Sequence, residues 1–525
     1  MRNDNEPYFD SLTVFLDTVE DGNAKFQDQI LTILETKSDA HEQRLLGHLT
    51  QLLFQRDPTL FPEILNSALE YVASNSIRYT NSGLDYLIER VFIAPFTPVA
   101  AELSDEGKNS IFEQLKSIAD TNNEYFPFQL FGLFGDNGKN YLLERCVEPE
   151  SSISACSDPG DELFLLFYEK SKLLDGLRNF KDERILQIAL DSVLNKSLGY
   201  DCCIGYNIDI LINHIDDARA QTGLVELFIG FLDQIVSDHP VSDHPFYYSN
   251  ECAYKCLEAL ASVDLPPDLK RRILDTKNEF FIGLSKYAEV CQDGGYDFVF
   301  EVSIMIKPTD HFALVCGDGL KPTLLERAKN KKAQIRAPAY HALGVLGEAD
   351  ILLTAHTKEK RSKWVKFAIS SGLIATGRDD AVAEGMNYLQ GLLPSCSEKS
   401  RYHISNIIQS DIKLGGETAC LHALQANHQE LIELGTSTMM RFIADATDTS
   451  ALGVMKSKLD SIMPVEQTED MPRARAGAIT KLFIAIDINL NKLNPISDLI
   501  LDLGKMPKLP KCPKASGHSR LVRRN

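Results

Sequence analysis

The residues whose types and spacing could do chemistry in this chain are few, and most fail on inspection. Gly138-Lys139 looks like the end of a phosphate-binding loop, in which backbone N–H groups cradle phosphates and a following hydroxyl ligates magnesium. Leu133 stands where the first glycine is required and Asn140 where the hydroxyl is, so the signature is incomplete. His41-Glu42 has Leu45 in place of a second zinc-binding histidine, and His428-Gln429-Glu430 has no downstream Pro-Cys-x-x-Cys. Neither zinc-protease nor zinc-deaminase chemistry follows. Cys252 and Cys256 lie one helical turn apart, but a structural zinc site needs a second pair, so they read as core cysteines. The tandem Val236-Ser237-Asp238-His239-Pro240-Val241-Ser242-Asp243-His244-Pro245 repeats an Asp-His pair. Asp238, His239, Asp243 and His244 carry donors suited to a divalent ion. The plainer reading is a local duplication in an exposed linker, and no metal, cofactor or catalytic residue is expected.

Charge is more informative. Between Leu320 and Lys366 the chain carries eleven bases against four acids, and from Lys505 onward seven bases and no acid, within a chain of net charge −20. The remainder is therefore strongly acidic, which disfavours general attraction to nucleic acid or anionic membranes and makes any such binding local. The candidate binding residues are Arg327, Lys329, Lys331, Lys332, Arg336, Lys358, Lys360, Arg361, Lys363, Trp364 and Lys366. With a repeat of about thirty residues, 329–336 and 358–366 fall at equivalent positions and should line one edge. Trp364, the only tryptophan, could stack there on a base or an aromatic side chain. The competing expectation is that these bases bridge acidic residues of adjacent repeats, with Trp364 in the core.

The elements that must position these residues read as helices. Phe26, Ile30, Ile33, Leu34 and again Leu45, Leu46, Leu49, Leu52, Leu53 have the spacing of one helical face. Asp57-Pro58, Thr97-Pro98 and Asp158-Pro159 each put a side-chain acceptor before a proline, which predicts helix starts. Short polar connections make successive helices antiparallel hairpins. Residues 297–306 instead alternate with the strand period. Because no second alternating run is near, a buried helix is expected there and a short extended segment is the alternative. No run approaches the roughly 18 apolar residues of a membrane span, so no membrane insertion is expected. The start Met1-Arg2-Asn3-Asp4-Asn5-Glu6-Pro7 has no apolar stretch typical of a secretory signal. Eleven scattered cysteines suit a reducing compartment, and a cytoplasmic location is expected.

Ile335-Arg336-Ala337-Pro338-Ala339-Tyr340-His341-Ala342-Leu343-Gly344-Val345-Leu346-Gly347 sets small residues on one helix face, and Val365-Lys366, Ile369, Gly372-Leu373, Ala375 and Gly377 repeat the theme. With Leu324-Leu325-Glu326-Arg327 as a preceding first helix, this stretch resembles HEAT repeats, especially the short variety of phycobilin-lyase-type and bacterial HEAT-like arrays. A weaker echo occurs at Arg473-Ala474-Arg475-Ala476-Gly477-Ala478, and Pro338 stands where alanine is usual. The resemblance implies an all-α fold, a right-handed α-solenoid of stacked helix hairpins, with a binding role for its C-terminal part and no particular activity. Residues 1–295 then form an N-terminal helical-hairpin array, 296–504 the HEAT-like region, and 505–525 a basic, proline-containing tail expected to be disordered. A scaffold or adaptor holding a protein partner is the leading expectation. A nucleic-acid or polyanion binder using the basic stripe, similar in outline to HEAT-like DNA-repair proteins, is the alternative.

Overall fold

The computed structural model describes residues 50–51, 54–55, 57–74, 93–121, 126–147, 172–194, 204–237, 243–293, 298–463 and 470–493. Among them every regular element is helical, so the chain is all-α. The chain divides into two compact units, Met1–Asn330 and Lys331–Asn525, so the sequence boundary after residue 295 falls inside the first unit.

In the first unit the helices are α1 (Leu60–Ser74), α2 (Ala94–Glu102), α3 (Asp105–Thr121), α4 (Gly135–Val147), α5 (Glu183–Leu194), α6 (Ile204–Asn213), α7 (Ala218–Ser237), α8 (Asp243–Ala261), α9 (Pro267–Asp275), α10 (Lys277–Asp293), α11 (Phe298–Cys316) and α12 (Lys321–Arg327). From α5 on, sequential helices pair (α5 with α6, α7 with α8) and next-but-one helices also touch (α5 with α7, α6 with α8, α8 with α10), the pattern of stacked hairpins. The core is mainly aliphatic with clusters of rings set in it: Phe61 stacks on Phe96 with centroids 3.9 Å apart, Phe131 packs against Phe112, Phe126 and Tyr141, and Phe280 stacks on Phe312 at 4.2 Å. The alternating stretch is the start of α11, a helix with Pro308 inside it. Its apolar residues are dense enough that helix neighbours take up both faces, which overrides the local strand period.

Asp57 behaves as a turn acceptor for Thr59 N–H at 3.1 Å, just before α1. Thr97-Pro98 does not start a helix. The helix begins at Ala94 with Pro95 in its first turn, Pro98 lies inside it, and the Thr97 hydroxyl donates to the Ile93 carbonyl at 2.8 Å. Pro95 takes the position where a missing N–H costs nothing. Asp158-Pro159, the amphipathic runs before residue 50 and the 505–525 tail lie outside the described residues.

The second unit is the more regular. Its helices are α13 (Ala333–Val345), α14 (Ala349–Lys358), α15 (Lys363–Ala375), α16 (Asp379–Leu392), α17 (Glu398–Leu414), α18 (Gly416–Gln425), α19 (Gln429–Asp445), α20 (Thr449–Ser461) and α21 (Asp470–Leu493). The odd-numbered helices form one layer in which each packs on the next, while the even-numbered helices lie against them. Helices within the odd layer run parallel, because matching ends meet: Arg336 near the start of α13 reaches Glu359 just before α15, and Gly344 near the end of α13 meets Gly372 near the end of α15. A Cβ built on Gly344 would overlap the Gly372 backbone, so only glycine permits this approach. Gly347 and Gly377 close α13 and α15 with positive φ of 79° and 66°, the left-handed helix end that favours glycine.

Candidate binding edge

Because the odd helices run parallel, their N-termini and the turns that precede them lie along one edge of the second unit. Helix N-termini carry partial positive charge and prefer acids, by about 0.3–1 kcal/mol per exposed charge. Most helices of the unit obey this, with Asp350 in the first turn of α14, Asp379 and Asp380 in that of α16, Glu398 in that of α17, Glu417 in that of α18 and Glu430 in that of α19. Helices α13 and α15 have no acid in their first turns. Around them stand Lys331, Lys332, Lys360, Arg361 and Lys363, all exposed, with exposed Lys358 at the end of α14. Stability alone would not select this arrangement.

Not every base of the sequence stripe is free to meet a partner. Arg336 is largely buried, donates to the Lys331 carbonyl at 2.7 Å, and pairs with the partly buried Glu359 at 3.4 Å. Glu359 in turn accepts the N–H groups of Arg361 (2.8 Å) and Ser362 (3.1 Å), while the Ser362 hydroxyl caps α15 by accepting from Val365 N–H. Arg336 and Glu359 thus fasten one repeat to the next. Trp364 is half-buried, edge-on to Phe367, with the Lys363 ammonium 4.6 Å from its ring centroid. Lys366 sits 5.2 Å from the centroid of Tyr388, whose hydroxyl donates to the Lys363 carbonyl. Arg327 and Lys329 belong to the first unit. There the Arg327 guanidinium lies 4.0 Å from the Phe281 centroid, and burial, against the pull of Glu326, brings its pKa down to about 10. Lys329 is exposed.

The edge continues through residues that the stripe in the sequence does not include. Lys399 and Arg401 lie in the first turn of α17, followed by Tyr402, which is 67% exposed; Arg473 and Arg475 lie near the start of α21. Arg401 approaches Glu430 at 3.8 Å, and Arg475 donates to the Gln425 carbonyl at 2.7 Å. Both Arg Nε atoms, and Nδ1 of His428 just before α19, are buried without a hydrogen-bond partner. The signal in the sequence was the shared offset, each base falling at or shortly after a turn, but the repeats differ in length and no fixed period links them.

A buried polar cluster crosses three helices of the same layer. His341 Nε2 lies 3.0 Å from Asp411 Oδ2, which also accepts the Ser371 hydroxyl, and none of the three is more than 1% exposed. These are the residue types of a nucleophilic triad in the wrong order. The hydroxyl bonds the carboxylate and not the imidazole, so nothing withdraws its proton toward a base. The cluster ties α13, α15 and α17 together. Among the described residues no group of three or more His, Cys, Asp or Glu could hold a metal ion. Asp238 and His239, and the side chains of Asp243 and His244, lie outside what the structure describes. Cys252 and Cys256 are buried and form no disulfide, and burial raises the Cys256 pKa. Among the described residues no helix is long and apolar enough to cross a membrane.

No family model matches the chain, and no curated protein does. A chain in a structure of the Pds5-Scc1 complex is similar at 14% identity, over 80% of this chain and 65% of that one, less than two thirds of its length. The TM-score is 0.17, too low to establish a common fold. The architecture therefore rests on the helices themselves.

Proposed function

We propose that the second unit is a non-catalytic scaffold that holds a protein partner along its basic edge. The observation that carries this reading is the placement of exposed bases at the N-termini of two parallel helices whose first turns lack any acid. Such charges cost stability where they stand, and a partner that brings negative charge to them recovers it. Nucleic acid is the second candidate, supported by the same bases and by the exposed ring of Tyr402. The capped faces of Trp364 and Tyr388 weigh against it, because each already carries a lysine where a base would stack. The described cysteines form no disulfide, which suits a reducing, cytoplasmic setting.

The test is capture of partners on the immobilised chain from extract, with and without nuclease, followed by mass spectrometry. Proteins retained after nuclease, and lost when Lys360 and Lys363 are changed to glutamate, support the scaffold. Loss of all partners on nuclease treatment transfers the edge to nucleic acid. In that case a short oligonucleotide should bind with a log–log salt slope of roughly −0.7 to −0.9 per phosphate neutralised.

A further inference from the structure

In the odd-numbered layer of the second unit the far face of each helix is covered by the next, and α21 is the last helix of that layer among the described residues. It packs on α18, α19 and α20, against which Ile479, Leu482 and Ile486 are fully buried. At about 100° per residue, Gly477, Ile484 and Ile488 fall on the opposite side of the helix. Ile484 is 55% and Ile488 51% exposed, and a Cβ built on Gly477 would meet nothing within 4 Å. A helical array ends on a polar outer face. Two isoleucines one turn apart, in line with an open glycine, are instead the face of a helix that expects a neighbour.

The sequence after α21 supplies one. Residues 494–504, outside the described residues, read Asn494-Pro495-Ile496-Ser497-Asp498-Leu499-Ile500-Leu501-Asp502-Leu503-Gly504. Pro495 disfavours a helical Asn494, and a connection of two residues suits a helix that turns straight back. Ile496, Leu499, Ile500 and Leu503 have the spacing of one helical face, Ser497, Asp498 and Asp502 lie off it, and Gly504 suits a helix end. Eight helical residues cover about 12 Å, and Leu493 back to Ile484 spans about 13.5 Å, so a returning run reaches both isoleucines. We propose that residues 496–503 form a short amphipathic helix that folds back antiparallel on α21 and lays Ile496, Leu499, Ile500 and Leu503 over Ile484 and Ile488. The chain thereby closes its own stack, with Asp498 and Asp502 turned to water as the polar end. A second copy or a separate partner competes poorly for this face, because a segment tethered two residues away acts at an effective concentration of about millimolar. The proposal is independent of the basic edge.

Hydrogen exchange of the full chain, read by mass spectrometry on peptides covering 480–504, tests this. The amides of 498–503 should exchange at least about tenfold more slowly than those of an unstructured chain. Ile484→Ser with Ile488→Ser should return them to the unstructured rate. Leu499→Ser with Ile500→Ser should do the same and speed exchange in the last turn of α21. Val454→Ser, at a comparably exposed residue on the side of α20 away from Lys456, which pairs with Asp487 of α21, should change neither. Thermal melts of each variant establish that the rest of the fold is kept. Unstructured rates in the wild-type chain overturn the proposal, as does protection that survives the changes at Ile484 and Ile488. Protection that rises with protein concentration, together with a dimer in sedimentation, overturns it in favour of a second copy.

Discussion

The two units share an aliphatic core and differ in their aromatic content, since nearly all the buried rings lie in the first. In the first, large rings lock the helices in a particular, irregular arrangement: Phe54, Phe61 and Phe96 form one cluster, and Phe228, Phe280, Phe281 and Phe312 another. In the second, backbone approaches backbone at Gly344 and Gly372, and aliphatic side chains with a buried His341–Asp411–Ser371 tie fill the rest. Rings supply much buried area but fit in few ways, whereas small residues let the same crossing recur from one repeat to the next. Regular stacking is what aligns the helix starts into an edge. In the irregular unit the alignment is shorter: the starts of α5 and α7 meet, where Arg219 donates to Glu183 at 2.6 and 2.8 Å.

The contrast can be broken most severely in the aromatic unit. Phe312 is fully buried and stacked on Phe280, so Phe312→Ala should cost about 3–5 kcal/mol, read as a lowered urea midpoint. In the regular unit Asp411→Ala should cost about 1–3 kcal/mol for each buried group that loses its acceptor, and Asp411→Asn should recover part of it. A full-size effect from the asparagine variant would show that charge, and not the hydrogen bonds, holds the tie. Gly344→Leu should cost about 1–3 kcal/mol by overpacking. Because its neighbour is backbone that cannot rotate away, the upper end is expected, and wild-type melting would refute the crossing.

Smaller effects probe the electrostatics. Burial, helped by the Lys366 charge and opposed by Glu384, lowers the His356 pKa below the ordinary value of 6.5. Unfolded chains protonate this group first as pH falls. Its contribution is therefore intact above about pH 6.5 and is lost as pH drops from there toward the lower folded value. Urea midpoints at pH 7.5 and 5.5 should differ less in His356→Gln than in wild type. Smallest is the effect of Lys331→Glu with Lys360→Glu. Both lysines are exposed at helix starts, so reversal should raise stability by about 0.3–1 kcal/mol each while removing the partners captured on the edge. A fall in stability would mean that these bases bridge repeats, as Arg336 does.

Much of this molecule could be read along the chain. Helical spacing follows from local sterics and apolar periodicity, and the glycines at 344, 347, 372 and 377 mark a crossing and two helix ends whose geometry only glycine tolerates cheaply. The clustering of bases at 329–336 and 358–366 and its repetition in equivalent turns were equally legible. Tertiary packing decided the rest. It turned the alternating 298–306 run into a helix, because burial on several sides removes the need for a strand's one-faced pattern. It withdrew Arg336 into an ion pair and Arg327 onto a ring, and it drew Lys399, Arg401, Arg473 and Arg475 into line with a stripe more than thirty residues distant. It also brought His341, Ser371 and Asp411 together across three helices. Local pattern specifies what each residue prefers beside its immediate neighbours. Which charges are neutralised, and which line up, depends on contacts between residues far apart in the chain, and these exist only once the helices have stacked.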